Sequence, residues 1–193
     1  MQIGQTKQGF KVCTLGSHSV GKTAIIHRFS KGIFAASPLP TIDLSLTTQA
    51  VIVDGKSVKL NIWDTAGQER YKSTVPIYMR DVQCIILVFD VTAPESWDVT
   101  KEWIETQLST FEEKPLIVIC GNKDDLQATV SSEEVTNWCN DNEFSVFFTS
   151  ALTSKGIKEM FTFIAKTLSE KFPHEVDKSQ SAFAMSNNEK CSC

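Results

Sequence analysis

The run Gly16-Ser-His-Ser-Val-Gly21-Lys22-Thr23 matches the pattern G-x-x-x-x-G-K-[ST], and its surroundings constrain the fold more than any other feature. An apolar segment of strand length, Phe10–Leu15, precedes it. A helix-like segment, Gly21–Ser30, follows with Ile25 and Phe29 four apart. Such a loop can hold an anion only where a strand hands over to a helix. Backbone N–H groups then converge on one point, and the positive end of the helix faces it. Gly16 and Gly21 leave the backbone unobstructed, with Ser19, Val20 and Ala24 completing the loop and its exit. Lys22 supplies a mobile point charge, and the hydroxyl of Thr23 suits Mg²⁺. The bland alternative is a glycine-rich turn, and the strand–helix context weighs against it.

The rest of the chain continues that alternation. Ser45–Val53 and Ser57–Trp63 flank Asp54-Gly55, a strong hairpin signal, which predicts two antiparallel strands. Ile85–Phe89 and Leu116–Cys120 are continuous apolar runs, as in a sheet buried on both faces. Between them Pro94–Phe111 sets Trp97, Ile104, Leu108 and Phe111 on one helical face. Ser131-Ser-Glu-Glu134 is a capping box opening a helix that carries Val135, Trp138 and Cys139. Val146–Thr149 reads as a strand, and Ile157, Met160, Phe161, Ile164 and Leu168 form a last apolar stripe. These stripes are core packing rather than cofactor boxes. The expected fold is a three-layer α/β domain over residues 9–172. Its six-stranded sheet is mostly parallel with one antiparallel strand, helices cover both faces, and ligands lie beyond the carboxyl ends of the strands. Residues 1–8 read as a flexible N-terminus, and 173–193 as a polar, disordered tail.

Composition narrows the function. The 193 residues fit one domain at about 150 residues each. Lys plus Arg number 19 against 23 acids, a net charge of −4 that argues against a nucleic-acid partner. No apolar run approaches the ~18 residues that span a bilayer. The opening residues lack the apolar core of a signal peptide, so an intracellular soluble domain is expected. Cys13, Cys84, Cys120 and Cys139 sit singly in or beside apolar segments, which predicts buried, inert thiols. Cys191 and Cys193 stand instead in the polar tail.

Two further signals share the expected edge of the sheet. Trp63-Asp64-Thr65-Ala66-Gly67-Gln68-Glu69 closes the third strand. An acid there lies near the metal, Gly67 can offer its N–H to a terminal phosphate, and Gln68 can orient an attacking water. Gly121-Asn122-Lys123-Asp124-Asp125 follows the fifth strand. The carboxylate of Asp125 can accept from both guanine N1–H and N2–H, and adenine offers neither donor in that arrangement. The stem of Lys123 can lie across the base. By composition alone Asp124 competes with Asp125.

With these motifs in order, the chain resembles a Ras-superfamily small GTPase. Gly16–Thr23, Pro40-Thr41-Ile42, Asp64–Gln68, Asn122–Asp125 and Thr149-Ser150-Ala151 carry the likeness. Lys59–Gly67, Tyr78-Met-Arg80 and Cys191-Ser192-Cys193 are similar to the Rab family, with Golgi-associated and early-endosomal members as the loose matches. The resemblance implies the P-loop GTPase fold and a GTP/GDP switch regulating vesicular membrane traffic. It implies Mg²⁺ on Thr23, Thr41 and, through water, Asp64, with Gln68 as the catalytic residue. Phe34 would pack against the base, while Ser150, Ala151 and Leu152 would meet its carbonyl edge. It decides for Asp125 over Asp124, and gives Ile42, Leu46, Trp63 and Tyr78 to effectors. An exchange factor, a GTPase-activating protein, an escort protein and a GDP-dissociation inhibitor would be further partners. Two prenyl groups on Cys191 and Cys193 would hold the protein to the cytoplasmic face of a Golgi or endosomal membrane. Lys190 stands where a C-a-a-X box needs Cys.

Some residues depart from that pattern. Asp43 stands where Rabs usually carry Gly, and Leu46 where an aromatic is usual. His18 occupies a loop position normally held by a smaller or amide side chain, and Leu152 replaces a common Lys. The stretch from Gln127 to Phe148 leaves no room for the extra helix of Rho proteins. A nucleotide kinase would need an Arg-rich lid, and arginine occurs only as Arg28, Arg70 and Arg80. A non-hydrolysing guanine-nucleotide-binding scaffold of the same fold is the remaining alternative, disfavoured by Lys22, Thr41, Asp64 and Gln68 together.

Overall fold

The computed structural model describes residues 9–34, 45–65 and 79–173. Strand β1 (Phe10–Leu15) leads into helix α1 (Lys22–Lys31), and β2 (Ser45–Val53) turns into β3 (Lys56–Asp64). After these come β4 (Cys84–Asp90), α2 (Pro94–Gln107) with a 3₁₀ turn at Leu108–Thr110, and β5 (Leu116–Asn122). Helix α3 (Ser132–Asp141), β6 (Ser145–Phe148) and α4 (Ile157–Lys171) complete the described elements. The sheet order is β2-β3-β1-β4-β5-β6, and β2 is the antiparallel strand. The expected architecture is therefore the observed one. Asp54 and Gly55 turn the hairpin with φ of 49° and 77°, the pair of positive values that a tight turn between right-twisted strands requires.

Two apolar layers sandwich the sheet. Helices α1 and α4 cover one face through Ile25, Ile26, Met160, Phe161, Ile164 and Leu168, and α2 and α3 cover the other through Trp97, Ile104, Val135 and Cys139. Phe29 stacks on Phe161 at 3.9 Å between ring centroids, locking α1 onto α4. Each such buried side chain contributes roughly 1.5–3 kcal/mol. The four core cysteines are buried, and burial pushes the thiols of Cys13 and Cys120 up to about 11 and about 12. Burial and a raised thiol both work against the reactive thiolate, in keeping with the expectation of structural core cysteines. None of the described helices is long and apolar enough to cross a membrane.

Register places the functional edge. Thr14 pairs with Asp64 and with Ile86, and Asp90 pairs with Asn122, so the ends of β1, β3, β4 and β5 line up. That Asp90–Asn122 pairing also carries β5 two residues beyond the expected Cys120. Helix α2 stops short of Phe111 because its last carbonyls find other donors. Thr110 Oγ1 donates to the Gln107 carbonyl at 2.7 Å, and the chain tightens into a 3₁₀ turn. Ser131 caps α3 as its sequence predicts, its side chain accepting from the Glu134 N–H at 3.2 Å.

Candidate functional site

The loop after β1 is built for close approach. Gly16 has φ 138°, and a Cβ there would lie 2.0 Å from the Val88 carbonyl oxygen. Gly21 has φ 98°, and its Cβ would meet Asn122 Nδ2 at 2.3 Å. Neither position tolerates a side chain. Ser19 also takes positive φ, Val20 is buried, and His18 is exposed on the rim. Lys22 is buried at the start of α1, its Nζ donating to the carbonyls of Gly16 and, at 2.9 Å, Ser17. The loop is thus curled around its own ammonium group, which a buried charge requires. Ala24, two residues on, packs against the core.

Thr23 and Asp64 meet beside this loop. The hydroxyl of Thr23 donates to Asp64 Oδ2 at 2.6 Å. The end of β3 is fixed to β1 by Thr14 Oγ1 on the Trp63 carbonyl at 3.1 Å and Thr65 Oγ1 on the Thr14 carbonyl at 2.7 Å. Asp64 is 2 % exposed, and its Oδ1 has no hydrogen-bond partner among the described residues. Burial raises its carboxyl above the ordinary range, against the Thr23 hydrogen bond and the charges of Lys22 and His27. An orphaned, desolvated carboxylate oxygen beside a hydroxyl fits a hard cation that keeps most of its ligands as water or phosphate. Among the described residues no cluster of three His, Cys, Asp or Glu side chains offers another metal site.

Asn122 joins this end to the next loops. Its Nδ2 donates to the Val20 carbonyl at 2.8 Å, and its Oδ1 accepts from Ala151 N–H and Thr149 Oγ1, each at 3.3 Å. Lys123, at φ 67°, holds its Nζ 2.5 Å from Asp90 Oδ2. Burial opposes the charge on Asp90, but hydrogen bonds from Lys123 and Thr92 outweigh it and hold the carboxyl below the ordinary range. The two acids that composition alone left in competition part here. Asp124 pairs with Lys155 at 2.5 Å, whereas Asp125 Oδ1 accepts from the Ser150 hydroxyl at 2.5 Å, beside buried Ala151. Phe34 packs against the core under the Arg28 guanidinium, 5.9 Å from ring centroid to Cζ. The Leu152 side chain is exposed, and its carbonyl accepts from Arg28 Nη2 at 2.8 Å.

On the hairpin Leu46 stands directly opposite Trp63, and Leu46 is 50 % exposed. Of the remaining expected site residues, Thr41, Ile42, Gly67, Gln68, Tyr78, Cys191 and Cys193 lie outside the described residues. Sequence reasoning missed Asp90, Lys155 and Arg28. An acid at a strand end could have singled out Asp90, as it did Asp64. Arg28, in the last turn of a helix, reads only as a complement to the helix dipole.

A family model described as Ras family matches residues 11–170 of the chain, from within β1 almost to the end of α4.

Proposed function

The chain belongs to the Ras family of small GTPases, which are GTP-binding switches, and we propose that it is a Rab-like member that hydrolyses GTP slowly and regulates vesicular membrane traffic. The observation that carries this is the Thr23–Asp64 pair with its orphaned oxygen, lying on one sheet edge with the Asn122–Val20 link. One end of the site suits a metal–phosphate group, and the other suits a purine. Thr23, Thr41 and Asp64 would hold Mg²⁺, which when bound neutralises phosphate charge and draws the terminal phosphoryl group's electrons toward itself. Lys22 and the amides after Gly16 orient the phosphates, Asp125 accepts the guanine N–H groups, and Gln68 orients the attacking water. Thr41 and Gly67 hold their loops to the γ-phosphate, and its loss releases them.

The Rab-like reading draws on Lys59–Gly67, on Leu46 opposite Trp63 as an effector-facing pair with Ile42 and Tyr78, and on Cys191 and Cys193 as prenylated anchors to a Golgi or endosomal membrane. Effectors, an exchange factor, an activating protein, an escort protein and a GDP-dissociation inhibitor follow from it. Nucleotide analysis of purified protein, then phosphate release from bound GTP with and without an activator, tests the reading. Bound guanine nucleotide and activator-dependent release are expected. Binding without release under any activator would leave the non-hydrolysing scaffold.

A further inference from the structure

Arg28 lies in the last turn of α1, and every hydrogen bond described for its guanidinium goes to a backbone carbonyl. Nη1 donates to Gly32 at 2.8 Å, which satisfies a carbonyl at the end of its own helix. Nε donates to Ala151 at 2.7 Å and Nη2 to Leu152 at 2.8 Å, carbonyls more than 120 residues away in sequence. The same group lies over the Phe34 ring at 5.9 Å. One rigid fork therefore touches both protein segments that flank the proposed base position. The ring comes from the chain leaving α1, and the loop comes from the chain leaving β6. Guanidinium suits this place because it is planar, always charged and able to meet two adjacent carbonyls at once. Hydrogen bonds from a charged donor are roughly twice as strong as neutral ones.

We propose that Arg28 is a positioning residue for guanine, fixing the Ala151-Leu152 backbone against the carbonyl edge of the base while holding Phe34 at its side. The carbonyl bonded by Nε shares its peptide with the Leu152 N–H, so the fork fixes that amide as well. Asn122 Oδ1 holds the Ala151 N–H at 3.3 Å, a longer contact than either arginine bond to this loop. Without Arg28 the loop would keep that contact and the Thr149 and Ser150 hydrogen bonds, but lose both bonds to its Ala151 and Leu152 carbonyls. Asp125, bonded to Ser150, would still read the N1–H and N2–H groups, so the loss should fall on recognition of O6. This inference rests on the guanine-nucleotide reading above.

The test compares dissociation of GDP and of 6-thio-GDP from the full-length chain, in wild type, Arg28→Ala and Arg28→Lys. Replacing O6 by sulfur weakens that acceptor and keeps both N–H groups. In Arg28→Ala, GDP release should quicken by about tenfold, the equivalent of one net hydrogen bond. Release of 6-thio-GDP should quicken clearly less, so that the preference between the two narrows. Arg28→Lys should fall between, because an ammonium can serve one carbonyl well but not the fork. Unchanged GDP release, or the same acceleration for both nucleotides as general loosening would produce, overturns the assignment. A wild-type chain that holds no GDP overturns the functional reading and this inference with it.

Discussion

Asn122 and Val20 are 102 residues apart, yet the Asn122 amide donates to the Val20 carbonyl at 2.8 Å and ties the loop after β1 to the loop after β5. The same side chain accepts from Ala151 and Thr149. Truncating it leaves buried backbone groups without partners, at a cost of roughly 1–3 kcal/mol apiece. Asn122→Ala should therefore release GDP about 10- to 100-fold faster and also lower the melting temperature. Stopped-flow release of a fluorescent GDP beside a thermal melt checks both. Normal release from a destabilised variant would reduce Asn122 to a structural link.

Asp64 gives the opposite stability prediction. Its buried carboxyl is raised above the ordinary range, so the folded protein disfavours its charge. A raised carboxyl contributes stability at low pH that is lost as pH rises through the folded pKa. At neutral pH, without metal or nucleotide, Asp64→Asn should thus raise the melting temperature. The advantage should vanish on acidification, and Mg²⁺ should no longer slow nucleotide release. A variant that melts lower than wild type at pH 7 would contradict the cost assigned to that charge.

Asp125→Asn exchanges an acceptor for a donor at the proposed base site. Two charge-assisted contacts at roughly 1.5–3 kcal/mol each are lost to guanine, while the 2-carbonyl of xanthine gains a donor. Competition between GDP and xanthosine diphosphate should shift by about 100-fold or more toward xanthine. An unaltered affinity for GDP would remove Asp125 from base selection.

Much of the sheet is legible in the chain because the determinants are local. Ile85–Phe89 is apolar at every position because β4 is covered on both faces, and Asp54-Gly55 names its own turn. The phosphate loop was equally plain, since its lysine and glycines lie within one run of eight residues. What sequence could not show depends on partners remote in the chain. By composition alone Asp124 and Asp125 are alike, and the physical difference between them lies in Lys155 and Ser150, which the fold brings beside them. Arg28 looks like any basic residue closing a helix until the Ala151 and Leu152 carbonyls meet it.

Gln68 should matter to hydrolysis and little to binding. Glutamine can donate and accept, which positions a water, whereas leucine of similar size can do neither. For GTPases of this kind an activator supplying an arginine accelerates hydrolysis on the order of 10⁵-fold. Gln68→Leu should bind GTP as wild type does and lose nearly all of that acceleration. Phosphate release measured with the activator present decides it, and wild-type turnover would take the water-positioning role from Gln68.

Membrane attachment should depend on both Cys191 and Cys193. A single lipid chain holds a protein only marginally, so stable anchoring needs a second chain or a basic patch. From Pro173 to Cys193 the acids are Glu175, Asp177 and Glu189 and the bases Lys178 and Lys190, a net charge of −1. That stretch would be repelled by an anionic leaflet rather than drawn to it. On the proposed prenyl anchoring, the second chain would then come from the second cysteine. The four cysteines of the core cannot supply it, being buried with raised thiols. Mass spectrometry of protein from its native cell should show two added prenyl groups. Cys191→Ser or Cys193→Ser alone should leave weak, readily extracted binding, and the double variant should be found in the soluble fraction. Membrane association that survives the double substitution would place the anchor elsewhere in the chain.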